Sequence, residues 1–136
     1  MTAAELIAQA AKRLSDAGVP EPELDAKILF LEAFHMDQVH FLMNRMRPLT
    51  EEQRAQQETY EVMIDRRSAR VPLQQILGSQ EFMGLTFRVT PDVLIPRQDT
   101  ETLVEEALKV VKPGMKVLDL CTGSGCIIVS IVHNVP

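Results

Sequence analysis

Near its C-terminal end the chain reads KVLDLCTGSGCIIVSIV, and no other stretch restricts the fold as much. Residues 116–120 form a short apolar run around Asp119, bounded by turn residues, which predicts a buried strand. Five small residues follow, Cys121 to Gly125, with glycine at 123 and 125. The apolar run from Cys126 then predicts a helix. A strand that enters a tight glycine turn and leaves as a helix belongs to open parallel sheets. Such sheets are covered on both faces, and an inner strand needs neighbours on both edges. KVLDL has no second parallel strand among the 136 residues. Its edge is therefore expected to be poorly held and open to pairing with another molecule, self-association included.

The first seventy residues have a different texture. Thr2 followed by Glu5 reads as a capping box opening a helix to Asp16, with Leu6, Ala10 and Leu14 at helical spacing and Gly18 as its stop. A second helix starts near Pro22, a residue suited to a first turn. Its expected buried stripe is Leu24, Ile28, Leu31 and Phe34, widened by Leu29 and Phe30. Asp37 caps a short third helix, QVHFLMNR. Thr50 with Gln53 forms a second capping box, opening a polar helix with a thin seam of Tyr60, Met63 and Ile64. These elements predict a small helical bundle over residues 1–71.

At VPLQQILG the pattern changes. Pro72 and Gly78 bracket a short turn or helix. QEFMGLTFRVT alternates around Gly84 as a β-hairpin does, with Phe82 set across from Phe87 or Leu85. Pro91 and Pro96 hold the next segment extended. Asp99 or Thr100 is expected to cap the helix ETLVEEALKVV, whose acidic first turn suits the helix dipole. The division is thus a bundle (1–71), a hairpin-bearing linker (72–96) and the start of an α/β domain (97–136).

Composition excludes several classes. A net charge of −5 argues against a protein built to grip nucleic-acid phosphates. Glu5 interrupts the N-terminal segment, and CIIVSIV is too short to span a bilayer. The two cysteines, Cys121 and Cys126, crowd one loop instead of spreading as a disulfide framework does, which fits reduced thiols in the cytoplasm. His35 and His40 lack a carboxylate–histidine pair at ligand spacing, so no metal site is expected.

Three ligand classes compete for the glycine loop. A P-loop requires Gly-Lys-Ser/Thr, and no lysine follows Lys116. A dinucleotide fingerprint places a third glycine where Ile128 stands, and that side chain obstructs close helix–strand packing. The third class is S-adenosylmethionine. Asp119 suits its ammonium, and Thr122, Gly123, Ser124 and Gly125 leave a bare backbone under its amino-acid and ribose parts. The same turn also joins strand to helix in α/β proteins that bind nothing there.

The segment LIPRQDTE (94–101), one helix before VLDLCTGSGCI, resembles the signature of the release-factor glutamine methyltransferases. RRSARVPLQQILGSQEFMGLTFRV resembles that family's linker and hairpin, and the helical N-terminal region matches its architecture. The resemblance implies an α-helical N-terminal bundle, a β-hairpin linker and the truncated start of a Rossmann-like methyltransferase domain. It implies methyl transfer from S-adenosylmethionine to the glutamine of the Gly-Gly-Gln motif of a peptide-chain release factor, the partner gripped by the bundle. Carried over by position, Cys121, Thr122, Gly123, Ser124 and Gly125 form the cofactor loop and Asp119 supports the amino-acid end. Arg97, Thr100 and Glu101 lie by the methionine portion.

Two departures stand out. Cys121 occupies a position where many methyltransferases have glycine. Because it carries a Cβ, it is expected not to need positive φ. The family's catalytic Asn-Pro-Pro-Tyr motif is absent from these residues, so no catalytic residue is assigned. The expectation is an N-terminal fragment that does not turn over alone. The alternatives are a non-catalytic protein-binding module, or a relative that methylates nucleic acid.

Two further groups have structural readings. Arg66, Arg67 and Arg70 suit a solvated helix end near a C-terminal dipole. Most of Met36, Met43, Met46, Met63 and Met83 suit core filling, with an adaptable partner surface as the other use.

Overall fold

The computed structural model describes residues 1–136, which divide into two compact units, Met1–Leu77 and Gly78–Pro136. No helix is long and apolar enough to cross a membrane.

The first unit is helical. Helix α1 (Ala3–Asp16) opens on the expected box: Thr2 Oγ1 accepts from the Glu5 N–H, and Glu5 Oε2 accepts from the Thr2 N–H at 2.9 Å. Helix α2 (Pro22–Ala33) carries Pro22 in its first turn. Helix α3 (Gln38–Asn44) is capped by Asp37, whose Oδ1 accepts from the His40 N–H at 2.7 Å. A 3-10 turn, Glu51–Gln53, leads into α4 (Arg54–Ser68), and the Thr50 N–H donates to Gln53 Oε1 at 3.0 Å. A short helix, α5 (Leu73–Leu77), closes the unit.

Leu6, Leu14, Leu29, Phe30, Phe34, Tyr60 and Ile64 make its core. Phe30 stacks on Phe34 with centroids 4.1 Å apart and meets Tyr60 edge-on at 5.5 Å. The Tyr60 hydroxyl donates to the Ala26 carbonyl at 2.9 Å, satisfying its one polar atom inside the core.

The buried stripe of α2 holds as expected at Leu29, Phe30 and Phe34 and differs elsewhere. Ala26, Leu29, Phe30 and Ala33 face inward, whereas Leu24 is half exposed and Ile28 and Leu31 are only partly covered. Apolar residues surround most of this helix, so periodicity does not choose the inner face.

The arginine cluster is the solvated helix end expected at Arg66 and Arg70, which are exposed, but not at Arg67. Arg66 is exposed, but Arg67 is nearly buried and its Nε meets Asp25 Oδ2 at 2.9 Å, while its Nη1 donates to the Val71 carbonyl. Arg70 has φ 70° and donates to the Gly18 carbonyl just beyond α1. Of the three, only Arg67 leaves solvent; Arg70 ties the chain at the surface. Met36 and Met63 pack against the core as expected, but Met43 and Met46 do not.

The second unit holds a two-stranded antiparallel sheet, β1 (Ser79–Phe82) with β2 (Leu85–Arg88), in register Ser79↔Arg88 to Phe82↔Leu85. The two-residue turn Met83–Gly84 has positive φ at both positions, 50° and 74°, as a type I′ turn requires. Phe82 lies opposite Leu85 and meets Phe87 edge-on at 6.2 Å. After an extended segment come α6 (Glu101–Leu108) and α7 (Cys126–Asn134). Phe82, Phe87, Val104, Cys126 and Ile131 form the core of this unit.

Two expectations fail here. Neither Asp99 nor Thr100 caps α6 with its side chain: a 3-10 turn, Gln98–Thr100, leads in, with the Thr100 N–H on the Arg97 carbonyl. KVLDL is not a strand, and Leu118 and Leu120 are 80% and 76% exposed. The only ladder is the hairpin, so this segment has no partner for its backbone groups.

Candidate cofactor site

The candidate site is the turn between residues 118 and 126. Asp119 is half-buried, and its Oδ2 accepts from Thr122 Oγ1 at 2.9 Å. The Thr122 carbonyl then accepts from the Gly125 N–H at 2.9 Å. These two links close the turn on itself. The backbone is left-handed at Cys121, Gly123 and Gly125, with φ 58°, 58° and 83°.

The value at Cys121 corrects the expectation that a residue with a Cβ avoids positive φ. A non-glycine residue there carries a cost of about 1–2 kcal/mol. The side chain of Cys121 is exposed, that of Cys126 is buried, and both are free thiols.

Gly125 precedes α7, and no side chain caps the first N–H groups of that helix. These groups, with the positive end of the helix dipole, suit the carboxylate of an amino-acid ligand. A Cβ placed on Gly123 would meet no atom within 4 Å, so its face is open to an incoming molecule. A bare, open backbone beside a carboxylate and an uncapped helix start fits the amino-acid end of S-adenosylmethionine, which carries both an ammonium and a carboxylate.

Arg97, Thr100 and Glu101 surround the start of α6. Arg97 is exposed, in extended backbone at the head of the 3-10 turn. Glu101 Oε1 accepts from the Met83 N–H at 2.9 Å, anchoring the hairpin turn. Helices α6 and α7 share one core through Val104, Cys126 and Ile131. No hydrogen bond links Arg97, Thr100 or Glu101 to residues 119–125, although both groups belong to the second compact unit.

Sequence reasoning missed the Asp119–Thr122 closure and the Glu101–Met83 tie. The first had a signal, since a carboxylate and a hydroxyl three residues apart readily close a turn. The second spans eighteen residues and had none.

Residues 5–78 match the family model described as the PrmC N-terminal domain, which covers more than half of the chain. The chain belongs to this family. A relative from Geobacter sulfurreducens, named release factor glutamine methyltransferase, is 44% identical over 90% of the chain and 42% of its own length. Proteins of the same name from Moorella thermoacetica and Cereibacter sphaeroides are each 40% identical across the whole chain, over 48% and 47% of their lengths. The chain thus spans about half the length of the curated relatives it matches.

Proposed function

We propose that this chain belongs to a methyltransferase acting in translation termination. It transfers a methyl group from S-adenosylmethionine to the glutamine of the release factor's Gly-Gly-Gln motif in the cytoplasm. Residues 1–71 serve as the substrate-recognition bundle, residues 72–96 as a linker bearing the hairpin, and residues 97–136 as the start of a Rossmann-like cofactor domain. The relatives' shared name supports the substrate, and the geometry of the 118–126 turn supports the donor.

When bound, S-adenosylmethionine supplies an electrophilic methyl group on a cationic sulfur. Cys121, Thr122, Gly123, Ser124 and Gly125 carry its amino-acid and ribose parts on bare backbone. Asp119 draws the ammonium, and the first N–H groups of α7 draw the carboxylate. Arg97, Thr100 and Glu101 flank the methionine portion.

An amide nitrogen is a weak nucleophile because its lone pair is shared with the carbonyl. It must be gripped by hydrogen bonds and aimed. The Asn-Pro-Pro-Tyr stretch that does this in the resembled family is not among these residues. Turnover therefore requires residues beyond those of this chain.

The observation that carries the reading is the open left-handed turn closed by Asp119 on Thr122. The test is to incubate a folded release factor with S-adenosylmethionine and the product of the complete reading frame, then map the factor by mass spectrometry. The expected result is one added methyl on the Gly-Gly-Gln glutamine, with none when the 136-residue chain is used alone. Methylation of that glutamine by the chain alone would overturn the assignment of catalysis to other residues. An unmodified glutamine with the complete product would overturn the function.

A further inference from the structure

Helix α6 carries three glutamates with different surroundings. Glu105 and Glu106 face solvent, and Glu106 pairs with Lys109 at 2.7 Å. Glu101 is partly covered and in no ion pair, and its one side-chain hydrogen bond accepts from the Met83 N–H at 2.9 Å. An ionised acceptor makes that bond stronger than a neutral one would.

The hairpin turn lacks local support of its own. Its ladder ends at Phe82↔Leu85, which leaves the Met83 N–H outside the strand pairing. A type I′ turn favours Asn, Asp or Gly at its first central position. Methionine stands there instead, with φ 50°. The residues of the turn therefore do not secure it, and an acceptor eighteen residues away does.

Two features connect this turn with the cofactor site. Glu101 follows directly on the Gln98–Thr100 turn, so its bond holds Met83 at the head of α6, the place given above to the methionine portion. Phe82, next to Met83, is wholly buried in the core that also contains Cys126. Cys126 is the first residue of α7, immediately after the glycine turn. Met83 and Leu85 pack against the same core. A shift of the hairpin turn would thus disturb both the head of α6 and the seat of α7.

We propose that Glu101 is a positioning residue for cofactor binding. By accepting from the Met83 N–H it holds the hairpin turn as a fixed wall beside the methionine portion of S-adenosylmethionine. What it contributes is an oxygen at the right place, not a negative charge on the ammonium. This inference rests on the cofactor reading given above and adds to the site a part outside the glycine turn.

The test compares the complete product as wild type, Glu101→Ala and Glu101→Gln. Glutamine keeps an acceptor oxygen at the same reach and removes the charge. Amide hydrogen exchange at Met83 should be slow in the wild type, fast with alanine and slow again with glutamine. Affinity for S-adenosylmethionine should fall about tenfold or more with alanine, and glutamine should restore most of that loss. In steady-state methylation, alanine should raise the KM for S-adenosylmethionine and leave the KM for the release factor in place. A mere loss of folded protein would lower kcat without that split. Equal loss of affinity in the two variants would give the charge a direct contact with the ammonium and overturn the proposal. Wild-type affinity with alanine, or a Met83 amide indifferent to both substitutions, would sink the positioning role alone. A wild-type product that binds no S-adenosylmethionine, with Met83 exchange still governed by Glu101, would sink the cofactor reading and the positioning role with it, leaving the bond as a contact of the fold.

Discussion

Tyr60 is the chain's single tyrosine, and it lies wholly inside the first core with its hydroxyl on the Ala26 carbonyl. Burial pushes its phenol well above the usual value near 10, Glu61 adds to the rise and Arg13 opposes it. Because the folded value lies above the unfolded one, this contribution to stability is complete below pH 10 and is lost as pH rises beyond it. Ultraviolet titration should show no phenolate in the native chain above pH 10 until circular dichroism reports unfolding. Ionisation at the ordinary value with helices intact would contradict the burial. The Asp25–Arg67 pair gives a second residue-scale prediction. Arg67→Met leaves a nearly buried carboxylate alone and should cost about 3–5 kcal/mol in urea unfolding. The double change with Asp25→Leu should recover most of that loss.

At the scale of elements, legibility followed locality. The capping box at Thr2, the cap at Asp37 and the turn at Gly84 each depend on residues within a few positions, and each forms as read. The inner face of α2 was legible only in part, at Leu29 and Phe30, because apolar residues occupy several of its faces. Arg67 was misread because its partner, Asp25, lies more than forty residues away. KVLDL has the composition of a strand, but a strand is a property of a pair, and no second strand adjoins it here. Amide hydrogen exchange should therefore be fast at Val117–Leu120 and slow in α1, α2 and α4. Strong protection of Val117–Leu120 in a monomer would show a ladder that this structure lacks.

For the molecule as a whole, the two units carry different parts of the proposed task. The first has a closed aromatic core. The second has a small core and an open turn facing solvent. The glycine turn itself was legible from Gly123 and Gly125, both at positive φ. Its path was not, because Cys121 also takes a left-handed conformation and Asp119 closes on Thr122. The central claim is that this turn holds S-adenosylmethionine. The most direct measurement is equilibrium binding of S-adenosylmethionine to the complete product, as wild type, Gly123→Asn and Asp119→Ala. Asparagine tolerates the left-handed conformation and meets only open space at position 123, so it keeps the turn while blocking its face. Asp119→Ala removes a charged partner of the ammonium, an interaction worth about 1.5–3 kcal/mol. The account predicts at least a tenfold loss of affinity in each variant with the fold retained, and wild-type affinity in both would contradict it.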